Sequence, residues 1–239
     1  MTLAGAKPGA GRVESLEEIA RRVVSCTRCQ RLRSYCLRVA EEKKAAHRVE
    51  TYWGRPVPGF GDPRARLLVV GLAPAAHGAN RTGRVFTGDG SGDFLMRAMH
   101  GAGFANIPTS RSPGDGLELY DAYIAATVRC APPDNKPARD EIGACREYLE
   151  AEFRALAGVR VIVALGRVAF EQSRLLIASS GARFAEPPLF AHLAVAFAHT
   201  GLALLASYHP SRQNTNTGKL TAAMLAEVFL EARRILDTP

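Results

Sequence analysis

The sequence predicts an α/β fold, a parallel sheet with helices on both faces. Two observations carry this. Four short runs, 67–71, 122–128, 159–165 and 202–207, are almost continuously apolar, as strands buried on both faces are. Helical stretches lie between and after them, at 92–102, 139–156, 166–179 and 220–236.

The N-terminal elements come first. Residues 1–13 are rich in Gly, Ala and Pro and are expected to be a disordered tail, with one domain over 14–239. Ser15-Leu16-Glu17-Glu18 reads as a helix start, with Ser15 as N-cap and Glu18 at the third helical position. That helix runs into Cys26, and a polar helix comes next, through Lys44. In open parallel sheets, ligands bind beyond the carboxyl ends of the strands. Here those ends carry Gly71-Leu72-Ala73-Pro74, Arg129-Cys130-Ala131-Pro132-Pro133 and His209-Pro210-Ser211, so three unusual loops converge on one edge.

The 239 residues, 47% hydrophobic, suffice for one sizeable core, and no Pro/Gly/Ser-rich linker divides them. Lys and Arg outnumber Asp and Glu by 31 to 23, a net charge of +8 that suits a polyanionic partner as well as mere solubility. No run approaches the ~20 apolar residues of a membrane span, and the N-terminus lacks the order of a signal peptide. A cytoplasmic, nucleoid-associated monomer is therefore expected, in a reducing compartment where disulfides are rare.

The five cysteines then need another reading. Cys26 and Cys29 form a C-x-x-C after the first helix, Cys130 follows the second strand, and Cys145 lies in the next helix. Four thiolates suit a metal site, and spacing alone does not separate a tetrahedral zinc from a [4Fe-4S] cluster. A redox pair beside two ordinary buried thiols is the third option. Cys36 reads as a small apolar residue on a helix.

Three motifs stand out: GLAPAAHGANRTGRVFTGDGSG from Gly71 to Gly92, VRCAPPDNKP from Val128 to Pro137, and YHPSRQNTNTG from Tyr208 to Gly218. With the cysteine pattern they resemble, over roughly residues 26–220, the type-5 uracil-DNA glycosylases. The resemblance implies a three-layer αβα sandwich with a four-stranded parallel sheet. It implies a structural [4Fe-4S] cluster on Cys26, Cys29, Cys130 and Cys145, and DNA containing uracil or other deaminated bases as substrate. The reaction would be monofunctional hydrolysis of the N-glycosidic bond in base excision repair.

The same resemblance implies residue roles. A stacked base must be flipped out to be reached. Phe86 would stack the flipped base, although without the motif a core phenylalanine is an equal alternative. Gly71, Ala73, Ala75, His77 and Asn80 would line the pocket. Departing uracil carries negative charge, and His209, even as a neutral imidazole, donates one hydrogen bond to its carbonyl oxygen. A packing histidine is the plainer alternative. Ser211 would bind a flanking phosphate, and the loop Arg212-Gln213-Asn214-Thr215-Asn216 would enter the minor groove. Arg81, Arg84, Lys136 and Lys219 are candidate phosphate contacts.

The chain departs from many uracil-DNA glycosylases in one respect. Leu72-Ala73-Pro74-Ala75-Ala76 offers no polar side chain to position water, an apolar version typical of type 5. Asp89 is the first candidate for that task and Asn135 the second, although Asp89 also reads as a helix cap. Related iron-sulfur glycosylases of another group carry an Asn where this chain has Ala126. Its absence is expected to widen the range of bases to include hypoxanthine. Two alternatives remain: a nucleotide-processing hydrolase with a structural zinc, for which the chain lacks a carboxylate cluster, and a non-catalytic DNA-binding module, which would need neither Phe86 nor His209.

Overall fold

The computed structural model describes residues 13–238, so the expected tail lies outside the described residues apart from Val13. Two helices, α1 (Leu16–Val24) and α2 (Gln30–Glu42), precede the sheet, and a one-turn α3 (Ala79–Thr82) lies within the glycine-rich segment. Ser15 and Glu18 close a reciprocal capping box at the start of α1, as their spacing requires.

Six strands form one sheet in the order β1-β3-β2-β4-β6-β5. The inner four, β3 (Ala122–Ala126), β2 (Leu67–Gly71), β4 (Val161–Leu165) and β6 (Ala203–Ser207), run parallel and are buried along their whole length. These are the four strands that the apolar runs mark. The expected four-stranded sheet is corrected to six, because β1 (Phe60–Gly61) and β5 (Val195–Phe197) add antiparallel edges. The edge strands are short and only partly buried.

Alternation along the strands divides the core. Leu67, Val69, Val163 and Leu205 face α4 (Gly90–Gly101) and α8 (Ala222–Asp237), where Leu95, Met99 and Phe229 are buried. Leu68, Val70, Ile162 and Leu204 face α5 (Arg139–Ala155) and α6 (Arg167–Ser179), where Leu149 and Phe170 are buried. Each such side chain contributes about 1.5–3 kcal/mol by leaving water. The result is an αβα sandwich. Among the described residues no helix is long and apolar enough to cross a membrane.

The topology fixes where a ligand sits. From β2 the chain crosses through α4 to β3 on one side, whereas from β4 it crosses through α6 to β6 on the other. The crevice between the carboxyl ends of β2 and β4 is thus the switch point at which open α/β sheets bind ligands.

Candidate active site

Gly71 closes β2 at this crevice, and Ala126, the last residue of β3, is its neighbour in register. The Phe86 ring lies directly on Gly71: a Cβ there would fall 2.7 Å from Phe86 Cε2. Phe86 reaches this position with φ of +47°, a left-handed conformation costing a bulky residue about 1–3 kcal/mol. Gly92 admits the strained turn, because a Cβ there would meet Phe86 O at 2.2 Å. His209 approaches from β6 and packs over Gly166 at the end of β4. Its ring centroid lies 6.1 Å from that of Phe86, with the planes 33° apart. Phe86 and His209 therefore meet at the switch point.

Burial pushes the His209 imidazole down to about 4, so it is neutral at pH 7. The ring makes no hydrogen bond among the described residues, which leaves its N–H for a ligand. The segment expected as a loop after His209 is instead a short helix, α7 (Arg212–Asn216), because Ser211 caps it by accepting from Asn214 N–H at 3.3 Å. Asn214 Nδ2 donates back to His209 O at 2.9 Å. Ser211 and Asn214 thus fix the turn that carries His209, while Arg212 and Gln213 are exposed on α7.

Two arginines change role. Arg84 is buried and pairs with Asp115 at 2.8 Å, with further bonds to Thr87 Oγ1 and Ser110 Oγ. Arg81 pairs with Glu50 and donates to Gly88 O at 2.7 Å and His77 O at 2.9 Å. Neither faces solvent as a phosphate contact would. They staple the loop that presents Phe86. Lys136 is exposed beside the Pro133–Asn135 turn, and the exposed Lys219 lies over the Tyr208 ring at 5.2 Å.

The remaining candidates scatter around the loop. His77 Nδ1 bonds Tyr52 OH at 3.1 Å. Asn80, fully enclosed, donates to Cys36 O at 3.3 Å and Ala76 O at 3.4 Å, so it joins the loop to α2 rather than facing the crevice. Ala75 O accepts from Gly78 and Asn80 N–H, and Ala73 packs against the cysteine cluster. Asp89 caps α4 through Gly92 N–H at 2.9 Å, and a Cβ on Gly78 would lie 2.1 Å from its Oδ2. Burial raises its pKa against the pull of the Gly92 and Ser91 N–H groups. Asn135 is exposed on the Pro133–Asn135 turn with φ of +56°. No contact among the described residues joins it to Phe86 or His209.

The cysteines lie in one neighbourhood, although among the described residues no group of three or more is placed to hold a metal ion. Cys26, Cys29, Cys130 and Cys145 share one apolar cluster with Val128 and Tyr148. Cys36 joins them and donates to Ala131 O at 3.6 Å. Arg129 N–H points at Cys145 Sγ, 3.3 Å away, and Arg33 Nη1 lies 4.0 Å from Cys130 Sγ. Burial pushes the Cys145 thiol up to about 12 and raises Cys29, with the charges of neighbouring cysteines adding in the same direction. Four soft thiolate donors with N–H and guanidinium groups nearby suit the chemistry of an iron-sulfur centre, whose iron would offset the cost of ionising the thiols and whose net negative charge those groups would balance. Holding the set in place is an enclosed pair that sequence reasoning missed. Arg129 pairs with Glu152 through its two terminal guanidinium nitrogens, and Glu152 also accepts from Gly59 N–H at 3.1 Å and Tyr123 OH at 3.4 Å.

Comparison with known proteins adds a separate line. Residues 58–233 match the model of the uracil DNA glycosylase superfamily. The chain is 51% identical over 219 residues to a type-5 uracil-DNA glycosylase of Thermus thermophilus, covering 92% of this chain and 97% of that one. Proteins of the same description from Mycobacterium leprae and Pyrobaculum aerophilum are each 46% identical, over 94% and 90% of this chain and 97% and 91% of theirs.

Proposed function

The chain belongs to the type-5 uracil-DNA glycosylases of the uracil-DNA glycosylase superfamily, and on that premise we propose that it hydrolyses the N-glycosidic bond of uracil in DNA. One observation carries the reading at the level of residues: a strained Phe86 and a neutral His209 face each other at the switch point. The extruded base stacks on Phe86, and its leaving carbonyl oxygen takes the free His209 N–H. One such donor is worth about 2.7–4 kcal/mol when aimed at developing charge. Because His209 is neutral, it stabilises by hydrogen bonding and transfers no proton.

Asp89 is the candidate to orient the attacking water, from its buried place at the start of α4. Cys26, Cys29, Cys130 and Cys145 would hold a [4Fe-4S] cluster. When bound, it would supply a structural tie between the end of α1, the start of α2, the turn after β3 and α5. Ala126, beside Gly71, offers no amide to read a base edge, which supports activity beyond uracil.

The test uses anaerobically purified protein and labelled duplexes, each carrying one altered base. Release of uracil from a G·U pair, with strand cleavage only after alkali, is the expected result. A strand left intact after alkali overturns the reading, and confinement to uracil across the panel overturns its wider base range.

A further inference from the structure

Away from the crevice, an open cavity of about 530 Å³ lies against the end of α1, with Arg21, Arg33 and Arg55 in its wall. Its lining holds three guanidiniums and no carboxylate, and it borders the cysteine cluster at Cys26. Several other arginines are matched: Arg22, Arg28, Arg31, Arg66, Arg81 and Arg84 each take an acidic partner. Arg21, Arg33 and Arg55 form no ion pair within 4 Å among the described residues, and Arg21 has the charge of Glu17 one helical turn away. Arg33 is engaged with Gly54 O at 2.9 Å and with Cys130 Sγ. Arg21 and Arg55 are exposed, and their side chains make no hydrogen bond among the described residues.

Arg55 links the cavity wall to the base-presenting loop. Arg55 lies over the Trp53 ring at 5.8 Å. That ring rests on Gly83, where a Cβ would come within 2.9 Å of Trp53 Cδ2. Trp53 N–H donates to Arg81 O at 2.8 Å and Gly54 N–H to Asn80 O at 3.0 Å. A half-exposed tryptophan stacked under an unpaired arginine offers a strand an apolar face and a cation side by side.

We propose that this cavity is a second DNA contact, taking a backbone phosphate of the strand that carries the extruded base, with Arg21 and Arg55 as its ligands. The proposal rests on the reading of the chain as a DNA enzyme. Like charges converging on one cavity repel in the free protein and are relieved by a phosphate, which also releases counterions.

Trp53 is the only tryptophan in the chain and lies under Arg55, so its fluorescence reports on the wall of this cavity. The probe is a uracil-free duplex, which makes no demand on the chemistry. Excision from a G·U duplex, run alongside, shows whether the enzymatic reading itself stands. Duplex binding is expected to change Trp53 emission. Arg21→Gln with Arg55→Gln is expected to lower the slope of log K against log salt by about 2 and to weaken binding roughly tenfold or more at physiological salt. Arg55→Lys retains the slope, and the visible absorption of the iron-sulfur centre persists throughout. An unchanged slope, or an unresponsive Trp53, overturns the proposal. So does loss of that absorption in the double variant, which would assign the arginines to the thiolates instead.

Discussion

Phe86 and His209 are held by backbone, whereas Cys130 and Cys145 are held by buried charge. At the switch point two glycines leave room for a ring in a strained turn, and a capped turn fixes a neutral imidazole. At the cysteine pole, Arg129 and Glu152 form an ion pair with almost no access to water, and the Arg129 backbone meets a cysteine sulfur. A pocket defined by missing atoms fails when atoms are added. A pole defined by matched charges fails when one partner is removed.

The largest effect expected from this contrast is at the pole. Glu152→Gln leaves Arg129 buried without its counter-charge and should cost about 3–5 kcal/mol, read from the midpoint of urea unfolding. A double change, Arg129→Met with Glu152→Leu, should recover most of that loss, because shape survives and no charge is stranded. If the double variant is as unstable as the single one, charge balance is not what holds the pole.

At the switch point the sensitivity reverses. Gly71→Ala forces a methyl into the Phe86 ring and should cost about 1–3 kcal/mol in stability, with a proportionately greater loss of excision. Gly143→Ala in α5 is the counterpart, since nothing lies within 4 Å of the added methyl. It should gain about 0.5–1 kcal/mol from reduced freedom of the unfolded chain. Equal responses at the two glycines would erase the distinction.

A smaller effect concerns the staple beneath Phe86. Burial pushes the Asp115 carboxyl up, but the Arg111 N–H, the Arg84 guanidinium and the N–H groups of Leu117 and Ser112 outweigh it and hold the group at about 2. A carboxyl depressed in the folded state stabilises above its unfolded value of 3.8, and that stability is lost as pH falls toward 2. Its contribution is about 2 kcal/mol at neutral pH. Asp115→Asn should flatten the acid limb of stability between those values. An unaltered acid limb would remove the Arg84–Asp115 pair from the account.

Much of this is legible in sequence, for reasons that differ by residue. Residues 67–71 are readable as a strand because both faces of β2 are buried, which makes its apolar run unbroken. Ser15 and Glu18 announce α1 because a capping box is wholly local. Phe86 and His209 are readable through motif resemblance. Arg84 and Arg81 mislead because a charge in a glycine-rich loop looks solvated, while their partners Asp115 and Glu50 each lie 31 residues away. Glu152 has no local signal at all, lying in an ordinary charged helix. Strand β5 does leave one: the apolar stretch 193–198 and the turn around Thr200-Gly201 precede β6 as a hairpin would. The helix α7 is likewise announced by Ser211, whose hydroxyl the motif gives to a phosphate and the structure gives to a cap.

The central claim is that a neutral His209 stabilises the departing base. Single-turnover excision from a G·U duplex by the native chain and by His209→Ala tests it most directly. The account predicts a native rate that is level from about pH 6 to 8, because burial keeps the imidazole unprotonated there. It predicts a fall of about 10²–10³ in the variant, with duplex binding retained. A variant within a few-fold of the native rate, or a native profile that breaks near 6.5, the ordinary histidine value, would contradict it.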